Sequence, residues 1–226
     1  IDLFFNSCCF IFSSLFSFFS CFFFSIFCNS SCVVFFNKSL LILLAFASCK
    51  AQNTYPLSNF QPKHLKNNNY IKDTENVYDS FEGTWQWTNG TSTFTVKLQK
   101  VEHWKAPNDN YYSDLILGGY KYEENGNILV DKLTFTTSFT IDPLTWINFA
   151  EIQGGISYPN INELGIIVND VIKNKRCMAE LTLQTGPDGE QQLQWYLHDF
   201  QSYRDPSLGP KPLDFSIPTN VVLTKL

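Results

Sequence analysis

The sequence predicts an all-β fold, an antiparallel barrel or sandwich of about eight to ten short strands. Three observations carry this. From Phe81 onward the apolar residues recur with period two. Turn signals interrupt the runs at short intervals: Asn89-Gly90, Asn125-Gly126-Asn127 and Pro187-Asp188-Gly189. No stretch of a dozen residues carries the apolar stripe of an amphipathic helix.

The elements follow in order. Tyr70 to Asp79 reads as a short helix or an ordered lead-in. Phe81, Trp85 and Trp87 share one face of an opening strand, and Phe94, Val96 and Leu98 share one face of its return. Leu115, Leu117, Tyr120 and Tyr122 continue the alternation, with Gly118-Gly119 marking a bulge. Leu129, Leu133, Phe135, Phe139 and Ile141 form the next odd-numbered face. A strand with Trp146 and Phe149 follows, then Gly154-Gly155 and an apolar run over 164–172. The clearest late hairpin sets Cys177, Ala179, Leu181 and Leu183 against Leu193, Trp195 and Leu197. Four prolines and a glycine between Ser202 and Pro218 make a loop, and a last strand runs from Asn220 to Leu226.

Composition divides the 226 residues in two. Residues 1–48 hold 14 of the 22 Phe and five of the seven Cys, with only Asp2 and Lys38 charged. The rest carries all five Trp and all ten Tyr, as a water-facing domain would. Leu3 to Phe36 is apolar and long enough to cross a bilayer, for which about 20 residues suffice. Its Phe, Ser and Cys share thymine-rich codons, which makes in-frame upstream DNA the competing expectation for residues 1–36, with Val33 or Val34 as the start. Residues 37–48 have a signal's layout: Lys38, a short apolar run from Leu40 to Phe46, then Ala47 and Ser48. Residues 49–69 are polar and Asn-rich and read as a flexible tether, leaving 70–226 as the β domain. The net charge of -5 argues against nucleic acid as a partner, since such surfaces are basic.

Ala47-Ser48-Cys49 resembles the end of a bacterial lipoprotein signal, with Phe46 where Leu is usual. The resemblance implies cleavage before Cys49, its acylation, and a lipid-anchored place in the cell envelope, at the outer membrane. Two or three acyl chains anchor stably where one is marginal. Phe81-Glu82-Gly83-Thr84-Trp85 resembles the opening of lipocalins and fatty-acid-binding proteins. There a Gly-x-Trp closes one end of a barrel and a basic residue from the last strand covers the tryptophan. The resemblance implies Trp85 and Lys225 as that pair, with Lys standing where Arg is usual. Phe81 through Gly90, Gly119-Tyr120-Lys121-Tyr122 and the ending from Pro218 to Leu226 are together similar to an uncharacterised family of small envelope lipoproteins of Gram-negative bacteria. That likeness implies location and extent, and no activity.

Little in the chain has the spacing of chemistry. His64, His103 and His198 stand apart from one another and from Cys or carboxylate partners, so no metal and no cofactor is expected. His198 and Asp199 point to opposite faces of a strand. No nucleophile elbow, phosphate loop or calcium loop is present. Glu151, with Glu123 and Glu124 at a turn, is the only basis for a glycosidase, which needs two carboxylates across a cleft. The rings are the remaining signal. Trp85, Trp87 and Trp195 alternate with polar residues and read as core, while Trp104, Tyr120 and Tyr122 are the candidate ligand contacts, Trp104 being the ring most expected at the surface. The leading expectation is a non-enzymatic module holding a small apolar or saccharide ligand in a barrel mouth. The alternative is a structural or interaction protein of the envelope. A cavity favours the first and a filled core counts against it; a large exposed apolar patch, or a partner captured by cross-linking, favours the second.

Overall fold

The computed structural model describes residues 52–59, 61–137, 149–157, 162–199 and 209–226. Cys49, Trp146, Phe139 and Ile141 lie outside them, as does everything expected of residues 1–48. Strands predominate among the described residues. In order these are β1 (Thr54–Pro56), β2 (Asn69–Lys72), β3 (Gly83–Asn89), β4 (Ser92–Trp104), β5 (Tyr111–Glu124), β6 (Asn127–Asp131), β7 (Ile152–Ser157), β8 (Glu163–Asp170), β9 (Lys175–Thr185), β10 (Gln191–Asp199) and β11 (Asn220–Lys225). Two single-turn 3-10 helices (Leu57–Asn59 and Pro62–His64) follow β1, and one short α-helix, α1 (Val77–Phe81), precedes β3.

Eight strands close into an up-and-down antiparallel barrel. The path runs β5-β4-β3-β11-β10-β9-β8-β7, and β7 pairs back onto β5. The sequence left barrel and sandwich open; closure through β7 decides for the barrel and removes the sheet edges a sandwich would expose. β5 explains how the extra strands fit. One edge pairs with β4 from Ser113 to Glu124. The other is shared in succession by β2 at Tyr111–Ser113, β7 at Ile116–Gly118 and β6 at Lys121–Glu124.

The hairpins form where the turn chemistry allows. Asn125 and Gly126 both take positive φ, the twist a two-residue hairpin loop needs. At the first hairpin Asn89 pairs with Ser92, so the loop is Gly90-Thr91, one residue later than the Asn-Gly signal suggests. Trp195 pairs with Leu181 and Leu193 with Leu183, as the alternation predicts.

Several expectations are corrected. The flexible tether expected over 49–69 does not extend that far: β1 pairs in parallel with β2, and Leu57 is buried in the core cluster. Phe81 ends α1 rather than opening a strand, though its ring still packs beside Trp85 in the core. The bulge is not at Gly118-Gly119, where the β4–β5 register is continuous, but between Val101 and Trp104. Those glycines admit close neighbours instead. A Cβ on Gly119 would lie 1.8 Å from the Lys132 carbonyl oxygen. The strand expected from Leu129 toward Ile141 stops at Asp131, and Leu129 is exposed.

Candidate functional site

A lipocalin-like barrel serves a ligand through its interior, so the interior is the first place to look. Trp85, Phe94, Val96, Ile116, Tyr120, Leu181, Leu193, Trp195 and Leu223 point inward and form one cluster. All of them are 0 % exposed. A side chain bordering a void large enough for water would retain accessible surface, and these retain none. Phe94 sits at the centre, its ring 5.3 Å from Trp195 and 6.1 Å from Tyr120.

Segments outside the barrel pack onto both of its ends. At the end where β3 begins, α1 lays Val77, Tyr78 and Phe81 into the cluster. Tyr78 Oη donates to the Gly155 carbonyl at 2.7 Å, and Trp85 Nε1 donates to the Phe81 carbonyl at 2.9 Å. At the other end Ile217 is buried, Phe215 packs against the core, and Trp195 Nε1 donates to the Pro218 carbonyl at 3.0 Å. Tyr120 Oη bridges to the β8–β9 turn, donating to the Asn169 carbonyl and accepting from Val171 N. Burial raises the pKa of both Tyr78 and Tyr120 above the usual tyrosine range.

Lys225 Nζ lies 5.1 Å from the centroid of the Trp85 ring, in a cation–π geometry. β11 brings them together, since Lys225 pairs with Trp85 across the β3–β11 seam. Gly83 belongs to the same contact: a Cβ there would meet Lys225 Cε at 2.9 Å, and its φ of +134 suits only glycine. The three candidate ligand rings are not brought into one pocket. Tyr120 is barrel core. Tyr122 is half-buried and stands edge-on to Phe94 at 6.2 Å. Trp104 is half-buried rather than exposed, on the outer face with Leu117, Phe149 and Ala150, and donates to the Thr137 carbonyl at 3.1 Å. A shallow depression of about 160 Å³ lined by Leu57, Asp73 and Val77 is open to solvent, well below the volume of a typical ligand site.

Sequence reasoning missed the buried carboxylates. Asp114 is 2 % exposed and accepts from Tyr70 Oη at 2.5 Å, Asp73 N at 2.9 Å and His103 N at 2.9 Å. Burial and this carboxylate raise the Tyr70 pKa above the usual range. Asp73 caps α1 by accepting from Val77 N and Tyr78 N, each at 3.0 Å. Lys100 reaches Asp73 at 3.5 Å and Asp79 at 2.5 Å. Burial alone would lower the Lys100 pKa, but the two aspartates more than offset it and hold it raised. At the far end Asp170, fully buried, accepts from the hydroxyl of Ser216, from Ser216 N at 2.7 Å and from Lys173 N at 3.1 Å. These aspartates staple the flanking segments to the barrel.

The groups considered for chemistry are engaged elsewhere. Glu151 accepts from Asn169 Nδ2 at 3.2 Å and lies 3.7 Å from Lys132 Nζ. Glu123 pairs with Lys121 at 3.0 Å. His198 is on the outer face of β10, 3.3 Å from Glu180, and its nearest ring neighbour is the exposed Tyr196. Cys177 is buried, and burial pushes its thiol up to about 11. Among the described residues no group of three His, Cys, Asp or Glu is placed to hold a metal ion. None of their helices is long and apolar enough to cross a membrane.

Fold and interior together define an up-and-down β-barrel whose inward side chains pack against one another. The chain belongs to DUF6705, a family of unknown function whose model matches residues 36–226. No curated protein and no solved structure matches it significantly.

Proposed function

We propose that the protein is an envelope lipoprotein, acylated at Cys49, whose barrel is a non-enzymatic interaction module working through its outer surface. The packed interior carries this reading. Trp85, Phe94, Tyr120 and Trp195 occupy the space where a lipocalin-like carrier would hold its ligand. That weighs against an apolar or saccharide ligand in a barrel mouth, the expectation the aromatic content raised. The envelope location rests on the signal-like run from Lys38 to Cys49.

Native mass spectrometry of the protein extracted from its own membrane tests both halves. The expected denatured mass is residues 49–226 plus acyl chains, with no further mass lost on denaturation. A small-molecule mass lost on denaturation would restore the ligand-carrier reading. A mass retaining residues 37–48 would end the lipoprotein reading.

A further inference from the structure

Gln52, only three residues after the proposed acylation site, is already tied to the β domain. Gln52 Nε2 donates to the Asn68 carbonyl at 2.6 Å, and its Oε1 lies 3.0 Å from His103 Nε2. The Asn53 carbonyl accepts from Tyr70 N at 2.8 Å, and β1 then pairs with β2. Asp114 holds β2 to the barrel through Tyr70 and Asp73. Three residues reach at most about 11 Å when fully extended. A headgroup layer is about 6 Å deep, so Gln52 would sit within roughly one Debye length of it.

Charge on this side fits a lipid surface. Residues 52–72 carry three lysines and no acid, whereas residues 73–226 carry 20 acids against 11 Lys and Arg. Lys63 and Lys66 are exposed. Lys105 reaches Asn68 Oδ1 at 3.2 Å and lies over the Tyr112 ring, which stacks on His103. Three acids lie nearby: Glu75 accepts from Ser58 Oγ at 2.6 Å, exposed Glu102 faces Lys100 at 3.9 Å, and Asp109 hydrogen-bonds Tyr111.

Resting on the lipoprotein reading, we infer that the domain is not held off the membrane by a tether. It lies against anionic headgroups with the face formed by Gln52, Lys63, Lys66, His103 and Lys105. β5 starts beside this face and runs 14 residues away from it, so the β5–β6 hairpin stands at the far end. At about 3.3 Å per residue and a typical strand tilt, that hairpin is about 30 Å further from the lipid.

The test uses the full chain, acylated in a Gram-negative host and reconstituted into vesicles of phosphatidylethanolamine and phosphatidylglycerol with a trace of acceptor-labelled lipid. A donor dye is placed at Lys66→Cys or at Glu124→Cys, both exposed positions. Cys177 is buried with a raised thiol pKa and stays unlabelled. The expected result is several-fold stronger energy transfer from position 66 than from 124. A long Gly-Ser insertion after Ala51, combined with Lys63→Glu, Lys66→Glu and Lys105→Glu, should bring a donor at exposed Asn68→Cys to the level of 124. Equal transfer from 66 and 124 in the acylated chain would overturn the orientation and leave the lipoprotein reading standing. A mass showing no acyl chain on Cys49 would overturn both.

Discussion

Replacing Asp114 by alanine should cost the fold about 3–5 kcal/mol. The carboxylate takes three donors at once, two of them buried: Tyr70 Oη and Asp73 N, with His103 N beside them. Each donor stranded away from water costs about 1–3 kcal/mol, and bonds to a charged acceptor stand at the upper end. A water entering the vacated space would recover part of this, which sets the lower bound. For a domain of this size about 1 kcal/mol moves the melting temperature by about 2–4 °C, so the variant should melt roughly 6–20 °C lower. Circular dichroism and urea titration read the change. A double-mutant cycle sharpens it. Tyr70→Phe should cost about 1–2 kcal/mol in the parent and much less beside Asp114→Ala, a coupling of about 1 kcal/mol. A loss under 1 kcal/mol for Asp114→Ala, or additivity in the cycle, would refute the staple.

Other consequences follow from single contacts. Gly119→Ala should cost about 1–3 kcal/mol, because its Cβ meets the Lys132 backbone, whereas Gly90→Ala meets nothing within 4 Å and should cost only the strain of its positive φ, about 1 kcal/mol; equal losses would contradict the close approach. Lys225→Ala should cost about 0.5–1 kcal/mol, and Trp85→Ala about 3–5 kcal/mol, by chemical denaturation. Cys177 keeps its proton to about pH 11 when folded but loses it near 9.0 when unfolded. Between those values the unfolded state binds fewer protons, so stability falls as pH rises, by about 2–3 kcal/mol, and is untouched below pH 9. Tyr78 and Tyr120, also raised by burial, add to the same alkaline loss. Cys177→Ala should flatten the pH 9–11 slope; an unchanged slope would remove the thiol from the account.

The fold was legible wherever a local rule and the tertiary structure agree. Trp195 faces Leu181 because both strands alternate cleanly, and Asn125-Gly126 turns because both residues accept positive φ. Barrel closure was not legible, since β7 joins β5 through three residue pairs that no period marks. Nor was β1, three residues whose pairing with β2 is set by Tyr70 and Asp114 rather than by its own pattern. The buried acids did leave a trace. Asp114 shares parity with Ile116 and Tyr120, and Asp170 with Leu164, Ile166 and Val168. A charge in phase with inward-facing residues is a buried one that needs partners. The rings misled because a large aromatic fills a barrel as readily as it lines a pocket. Only the zero exposure of Tyr120 and Trp195 separates the two.

The central claim, a barrel filled by its own side chains, is tested most directly by a crystal of the domain pressurised with xenon. Xenon enters dry apolar cavities of roughly ligand size. No xenon is expected along the barrel axis of the unmodified protein. A Leu181→Ala variant, which removes a fully buried inward side chain, should gain a site there and shows that the gas can reach the interior. Xenon bound between Phe94, Tyr120 and Trp195 in the unmodified protein would contradict the account and return the ligand cavity.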